Sequence, residues 1–316
     1  MIKDQPLVTI IMATYNGESF LEEQLNSIVE QKYNNIELLI ADDNSTDKTY
    51  QILSHYAQIF SWIHIYRNNK HLGLVKNFEK LLKQAQGKYI AFCDQDDVWE
   101  EDKLWIAIDS LAGESSQQPL MFHSDLTAVD KNLQVIAASY FSMRAYTFRE
   151  KKELSVMLGR SGIMGNTMVI NQKLKSLVLP FPPDLKAHDY WIALINELYG
   201  KRLISHEPLV KYRLHHTNSS NRISTITSQI FSIDHLSREM IRLPFFGIKR
   251  EKALRFLLKQ YRVKDEDREI ILKFIDYLEF KKSRIYLIYL IFKYNFLRDN
   301  FGYRIKIALK MIWKKG

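Results

Sequence analysis

Three carboxylates stand within four residues in Cys93-Asp94-Gln95-Asp96-Asp97-Val98-Trp99. Acids packed this closely raise one another's pKa unless a cation neutralises them. Hard oxygen ligands of this kind suit Mg²⁺ or Mn²⁺, ions that commonly share coordination with substrate phosphates. An acidic turn capping the following helix is the plainer reading. Tyr15, in Ala13-Thr14-Tyr15-Asn16-Gly17, could stack on a flat base or simply pack on a turn. Asp43, in Asp42-Asp43-Asn44-Ser45, could accept from a base N–H or ribose hydroxyls, or serve the turn. Asp189, in His188-Asp189-Tyr190-Trp191, could be a general base or the cap of a helix. His215 or His216, after Tyr212-Arg213-Leu214, could ligate a metal, and Arg213 could meet phosphate.

These residues matter only if the chain gathers them. Leu7–Ala13, Ile36–Ala41, Trp62–Tyr66 and Tyr89–Cys93 read as buried strands. Glu18–Gln31, Lys48–Phe60 and Leu74–Gln86 lie between them with helical spacing. Such alternation predicts an α/β fold, a doubly wound parallel sheet with helices on both faces. Ligands in such sheets bind beyond the carboxyl ends of the strands, where Tyr15, Asp43 and the acidic run all fall. Further on, a helix is expected over Glu101–Leu111 and strands over Leu120–Ser124 and Glu207–Leu214. A glycine-bearing turn into a strand spans Ser161–Ile170, and a helix runs from His188 to Tyr199. Thr217–Ser228 reads as a linker, after which the pattern is helical. The expected organisation is a domain over 1–225 and a helical, basic region over 226–316.

Composition narrows the function. The chain has 316 residues and a net charge of +9. Residues 281–316 hold ten Lys/Arg against Asp299, leaving 35 charges of each sign in the remainder. A neutral body argues against a nucleic-acid-binding core. The single cysteine, Cys93, fits a reducing compartment and a structural thiol. No leader pattern opens the sequence, and no segment has the ~20 apolar residues of a membrane span. No dinucleotide fingerprint, P-loop or zinc spacing occurs. In the tail, Ile305, Ala308, Leu309 and Ile312 recur on one face while Lys306, Lys310 and Lys314 recur on another. A basic amphipathic segment with aromatics fits an anionic membrane surface. It equally fits a terminal helix packed on the body or on a second copy of the chain.

Taken together, and with Gly165-Asn166-Thr167-Met168, these motifs resemble in order and spacing the family 2 glycosyltransferases of GT-A fold. The Asp-Gln-Asp-Asp-Val-Trp and His-Asp-Tyr-Trp versions look most like bacterial rhamnosyltransferases of surface polysaccharide assembly. The resemblance covers residues 6 to about 220. It implies a mostly parallel sheet, a nucleotide-diphosphate sugar donor and a divalent Mg²⁺ or Mn²⁺ ion. It implies donor contacts from Thr14, Tyr15, Asp43, Asp96, Asn166 and His215, with Asp97 and His215 at the metal. Asp189 would be the catalytic base, and Trp99, Gly165, Thr167, His188 and Trp191 would border the sugar or acceptor. The implied chemistry is inverting transfer, with dTDP-β-L-rhamnose the leading donor and a lipid-linked saccharide the acceptor. A UDP-sugar donor (galactose, glucose or N-acetylhexosamine) is the alternative. A non-catalytic scaffold has little support, because Asp97 and Asp189 are both present. A lipid-linked acceptor would give the basic tail its use, holding a cytoplasmic enzyme on the inner face of the plasma membrane.

Overall fold

A computed structural model describes residues 5–159, 162–215, 250–279 and 281–296, with six further positions between 302 and 311. His216, the Thr217–Ser228 linker and much of the amphipathic tail lie outside the described residues. The chain divides into two compact units. The first comprises residues 1–150, 163–180 and 199–223; the second comprises 151–162, 181–198 and 224–316.

The first unit is built on a nine-stranded sheet. Its opening half follows the apolar runs closely: β1 (Val8–Thr14), β2 (Ile36–Asp42), β3 (Ile63–Arg67) and β4 (Tyr89–Cys93). They lie parallel in the order β3-β2-β1-β4. The connecting helices are α1 (Leu21–Val29), α2 (Thr49–Ile59) and α3 (Leu74–Gln84). Every side chain of β1 and β4 is buried, because both strands have neighbours on either edge and cover on both faces. Burial of each large apolar residue contributes on the order of 1.5–3 kcal/mol, so the strand ends are rigid mounts for the loops beyond them. The register sets those ends side by side: Thr14 is level with Asp42, Asp42 with Arg67, and Met12 with Cys93.

The second half is mixed rather than mostly parallel. The two-residue strand β5 (Val98–Trp99) follows the acidic run and leads to α4 (Lys103–Ala112). Then come β6 (Leu120–Val129), β7 (Val135–Ala137), β8 (Val169–Asn171) and β9 (Lys201–Arg213). β8 runs antiparallel between β4 and β6, β9 lies parallel to β6, and β5 runs antiparallel to β9. β6 and β9 extend well past Leu120–Ser124 and Glu207–Leu214. They pair through register shifts around Asp125, where the polar residues Ser124, Asp125 and Thr127 hide the strand pattern.

The second unit is helical among its described residues. It contains α5 (Leu154–Gly159), α6 (His188–Tyr199, whose last residue falls in the first unit), a helical segment over 250–260, α7 (Asp265–Glu279) and α8 (Arg284–Tyr294). Trp191 packs at its centre, edge-on to Phe256 and Tyr261. Among the described residues no helix is long and apolar enough to cross a membrane.

Candidate active site

The acidic run forms the turn between β4 and β5, and its three carboxylates separate. Asp97 turns inward and is fully buried. Its Oδ2 accepts from Asn166 Nδ2 at 2.5 Å and its Oδ1 from the Arg213 backbone N–H at 3.1 Å. Burial, then the nearby Asp96 and Asp94, push its carboxyl well above the usual range. Asp96 turns outward instead and meets His215, with Oδ2 2.9 Å from Nε2; their side chains are 19% and 13% exposed. The pairing of β5 with β9 brings this about, because Val98 lies opposite Lys211 and so carries Arg213 and His215 to the turn.

Two buried cations support the turn. Arg213 is fully buried, so it is not available to phosphate as the sequence suggests. Its guanidinium donates to the Asp96 carbonyl at 2.9 Å, to the Lys131 carbonyl at 2.6 Å and to Glu23 of α1. It also lies 4.5 Å over the Phe20 ring, which in turn packs 4.9 Å from His215. Lys103, at the start of α4, has no exposed surface. Its Nζ donates to the Asn166 carbonyl at 2.7 Å and sits 3.2 Å from the centre of the Trp99 ring. Burial lowers its pKa to about 7, against the opposing pull of Cys93, Asp97 and Asp94.

Beside the acidic turn lies the aromatic expected for a base. Tyr15 is 46% exposed, and its ring centre is 4.5 Å from that of His71. His71 Nδ1 is 2.9 Å from Asp43 Oδ2. Asp43 itself accepts from Asn68 at 2.9 Å and from the Leu72 and Gly73 N–H groups at 2.7 and 2.8 Å. Burial opposes its ionisation, but these hydrogen bonds outweigh it and hold the carboxyl below its ordinary value. The Thr14 hydroxyl is directed to Asp42 at 3.3 Å. Gln95 joins the two loops: its Oε1 accepts from Tyr15 N at 2.8 Å and its Nε2 donates to Tyr15 O at 3.2 Å. Gly17 makes room for it, since a Cβ there would stand 2.5 Å from Gln95 Oε1.

The structure thus gathers Thr14, Tyr15, Asp43, Asp96, Asp97, Asn166 and His215 in the first unit. Gly165, Asn166 and Thr167 form a single helical turn before β8, with Asn166 and Thr167 buried. Trp99 does not line an open pocket: it is 3% exposed and belongs to the core beneath Lys103. Trp191 and His188 are likewise interior, at 0% and 5% exposed, and burial lowers the His188 pKa. Asp189 stands in the first turn of α6, half-buried, with Oδ1 accepting from Tyr190 N–H at 2.7 Å. An acid there is favoured by the helix dipole whatever else it does. Gln95 lies inside the acidic run and Arg213 in the Tyr212-Arg213-Leu214 stretch, where the motif points to phosphate rather than to support of the turn; His71, Lys103 and Glu23 lie in no motif.

For a divalent cation, the donor set fits. Asp96 and His215 offer oxygen and nitrogen at the more open side of the turn, and Asn166 Oδ1 is a buried acceptor without a partner among the described residues. No group of three or more His, Cys, Asp or Glu is arranged around a metal among the described residues. The protein would therefore supply part of a coordination sphere, leaving the rest to phosphate oxygens and water, as Mg²⁺ prefers.

Residues 9–162 match the model of the Glycosyl transferase family 2. This part of the chain belongs to that family. The chain is 39% identical over 100 residues to a putative teichuronic acid biosynthesis glycosyltransferase, TuaG of Bacillus subtilis (strain 168), covering 32% of this chain and 40% of the relative. It is 48% identical over 105 residues to dTDP-rhamnosyl transferase RfbG of Shigella flexneri, covering 32% and 36%. It therefore spans about two fifths of the length of these relatives. In three dimensions it superposes on S. aureus TarS 1-349 in complex with UDP-GlcNAc with a TM-score of 0.59 and 18% identity, covering 90% of this chain and 79% of that one. The sheet of the family 2 domain is the GT-A arrangement.

Proposed function

We propose that the protein is an inverting, metal-dependent glycosyltransferase of bacterial surface polysaccharide synthesis, with dTDP-β-L-rhamnose as donor and a lipid-linked glycan as acceptor. The observation that carries this reading is the bracing of exposed Tyr15, through Gln95, to the turn where Asp96 meets His215. A base on Tyr15 would extend its diphosphate toward Asp96 and His215. The 48% identity to RfbG over 105 residues supports rhamnose as the sugar, and the teichuronic acid biosynthesis in TuaG's name supports a surface polysaccharide as the setting.

Tyr15 and Asp43 would hold the base, Tyr15 by stacking and Asp43 by fixing the 68–73 loop around it. Asp97 would keep the turn in shape from below, and Asp96 and His215 would hold Mg²⁺ or Mn²⁺. The ion would offset charge developing on the leaving diphosphate. Asp189 would take the proton from the acceptor hydroxyl as it attacks the anomeric carbon. The basic excess of residues 281–316, with Ile285 81% and Tyr289 50% exposed on α8, supports peripheral contact with the inner face of the plasma membrane.

The test is nucleotide release from dTDP-rhamnose and a panel of UDP-sugars, with Mg²⁺ or Mn²⁺. Release is expected from dTDP-rhamnose, lost in Asp96→Asn, and lost in Asp189→Asn without loss of nucleotide binding. Release from UDP-sugars alone sinks the rhamnose assignment, and turnover retained in Asp189→Asn removes that residue from the role of base.

A further inference from the structure

The second unit contains a cavity that the donor reading leaves unused. α5, the end of α6, the start of α7 and the chain at the end of α8 enclose about 510 Å³. That is within the range of small-ligand pockets. Its walls are fixed. Glu197, 4% exposed, accepts from the Glu153 N–H at 2.5 Å, tying the end of α6 to the start of α5. Gly159 lets α5 touch the far wall, because a Cβ there would stand 1.8 Å from the Phe296 carbonyl oxygen. The Tyr294 ring stacks on Phe296 at 5.3 Å, and Phe296 packs edge-on against Phe274 at 4.9 Å.

The lining decides what could enter. Lys152, Lys264 and Lys293 are matched by Glu153, Glu197 and Asp267. The charges cancel, which favours neither a phosphate nor an amine. What remains is a close alternation of donors and acceptors beside a flat tyrosine ring and aliphatic side chains. A sugar hydroxyl both donates and accepts, so such a lining can satisfy several at once. The Tyr294 ring is engaged by Phe296 and by the Lys293 ammonium 5.1 Å from its centre, so Leu154, Val156 and Ile270 offer the apolar surface for the C–H face of a pyranose.

We infer that this cavity, formed wholly by residues of the second unit, is a saccharide-binding site for a short neutral stretch of glycan. It rests on the reading of the protein as a glycosyltransferase, and gives the acceptor or product chain a foothold apart from the reacting hydroxyl. Asp267 on α7 and Lys264 just before it would bond hydroxyls from one side, and Lys152 and Ser155 from the other.

Calorimetric titration of the full-length protein tests it, using a linear rhamnose trisaccharide, chitotriose and inorganic phosphate as probes and dTDP as control. At least one trisaccharide is expected to bind. Asp267→Asn should weaken it about tenfold, as for loss of one charged hydrogen bond. Ser155→Trp should obstruct the cavity and abolish binding, and melting curves establish that both variants are folded. Neither change should alter dTDP binding. The inference is overturned if no trisaccharide binds, if phosphate binds in preference, or if folded variants bind the trisaccharide like the wild type. Loss of dTDP binding in the wild-type protein, with saccharide binding kept, would instead refute the donor reading and leave the cavity assignment standing.

Discussion

Replacing Lys103 by Met is a direct probe of the buried support under the acidic turn. The ammonium is fully buried, and burial lowers its pKa from 10.5 to about 7 despite Cys93, Asp97 and Asp94 nearby. Between those values the unfolded chain holds a proton that the folded chain has released. Stability therefore rises with pH across that window, by at most about 1.4 kcal/mol per pH unit for one proton. Because the group is half-titrated near its lower end, the gain from about pH 7 to 8.5 comes to roughly 1–2 kcal/mol. Met keeps the length of the side chain and removes the charge, so Lys103→Met should lose that increment. Urea unfolding of both proteins at about pH 7 and 8.5, at one ionic strength, measures it. Parallel pH dependences for wild type and variant would refute the assignment of Lys103 as a buried, displaced cation.

Other substitutions reach different parts of the molecule. Tyr15→Ala should weaken dTDP binding by about 1–3 kcal/mol, or roughly five- to 150-fold, as measured by calorimetry; equal affinity would remove the stacking role. Gly159→Ala should destabilise the second unit by about 1–3 kcal/mol or more, since its new methyl meets the Phe296 carbonyl. An unchanged melting temperature would show that this close approach is absent.

The first four strands and their helices are legible because each strand is a mostly apolar run, broken only by Thr9, Glu37 and His64, between turn signals. The second half is not. β5 has two residues, too few for any periodicity, and β9 carries Ser205, His206, Glu207 and Pro208 through its middle. The acidic run itself was legible as chemistry, but the direction of each carboxylate was not. Asp97 faces inward because of Asn166, 69 residues away, and Arg213, 116 residues away. No local pattern encodes such partners. Asp96 rather than Asp97 meets His215 for the same reason. Lys103 reads in sequence as a solvated lysine at the start of a helix, yet its ammonium is covered by Trp99 and held by a carbonyl. The resemblance implies Trp99 and Trp191 at the sugar or acceptor pocket; here their size is used to fill two interiors.

Gln95 sets a limit on how this site could be altered. It holds Tyr15 by both backbone atoms and occupies the space that Gly17 leaves empty. The loop after β1 and the turn after β4 are therefore one exchangeable module. Transplanting either alone from a relative with a different donor would bring a side chain into a gap of the wrong size. Changes at positions 17 and 95 should therefore travel together, whereas the side chain at position 15, held through its backbone, is free to vary alone.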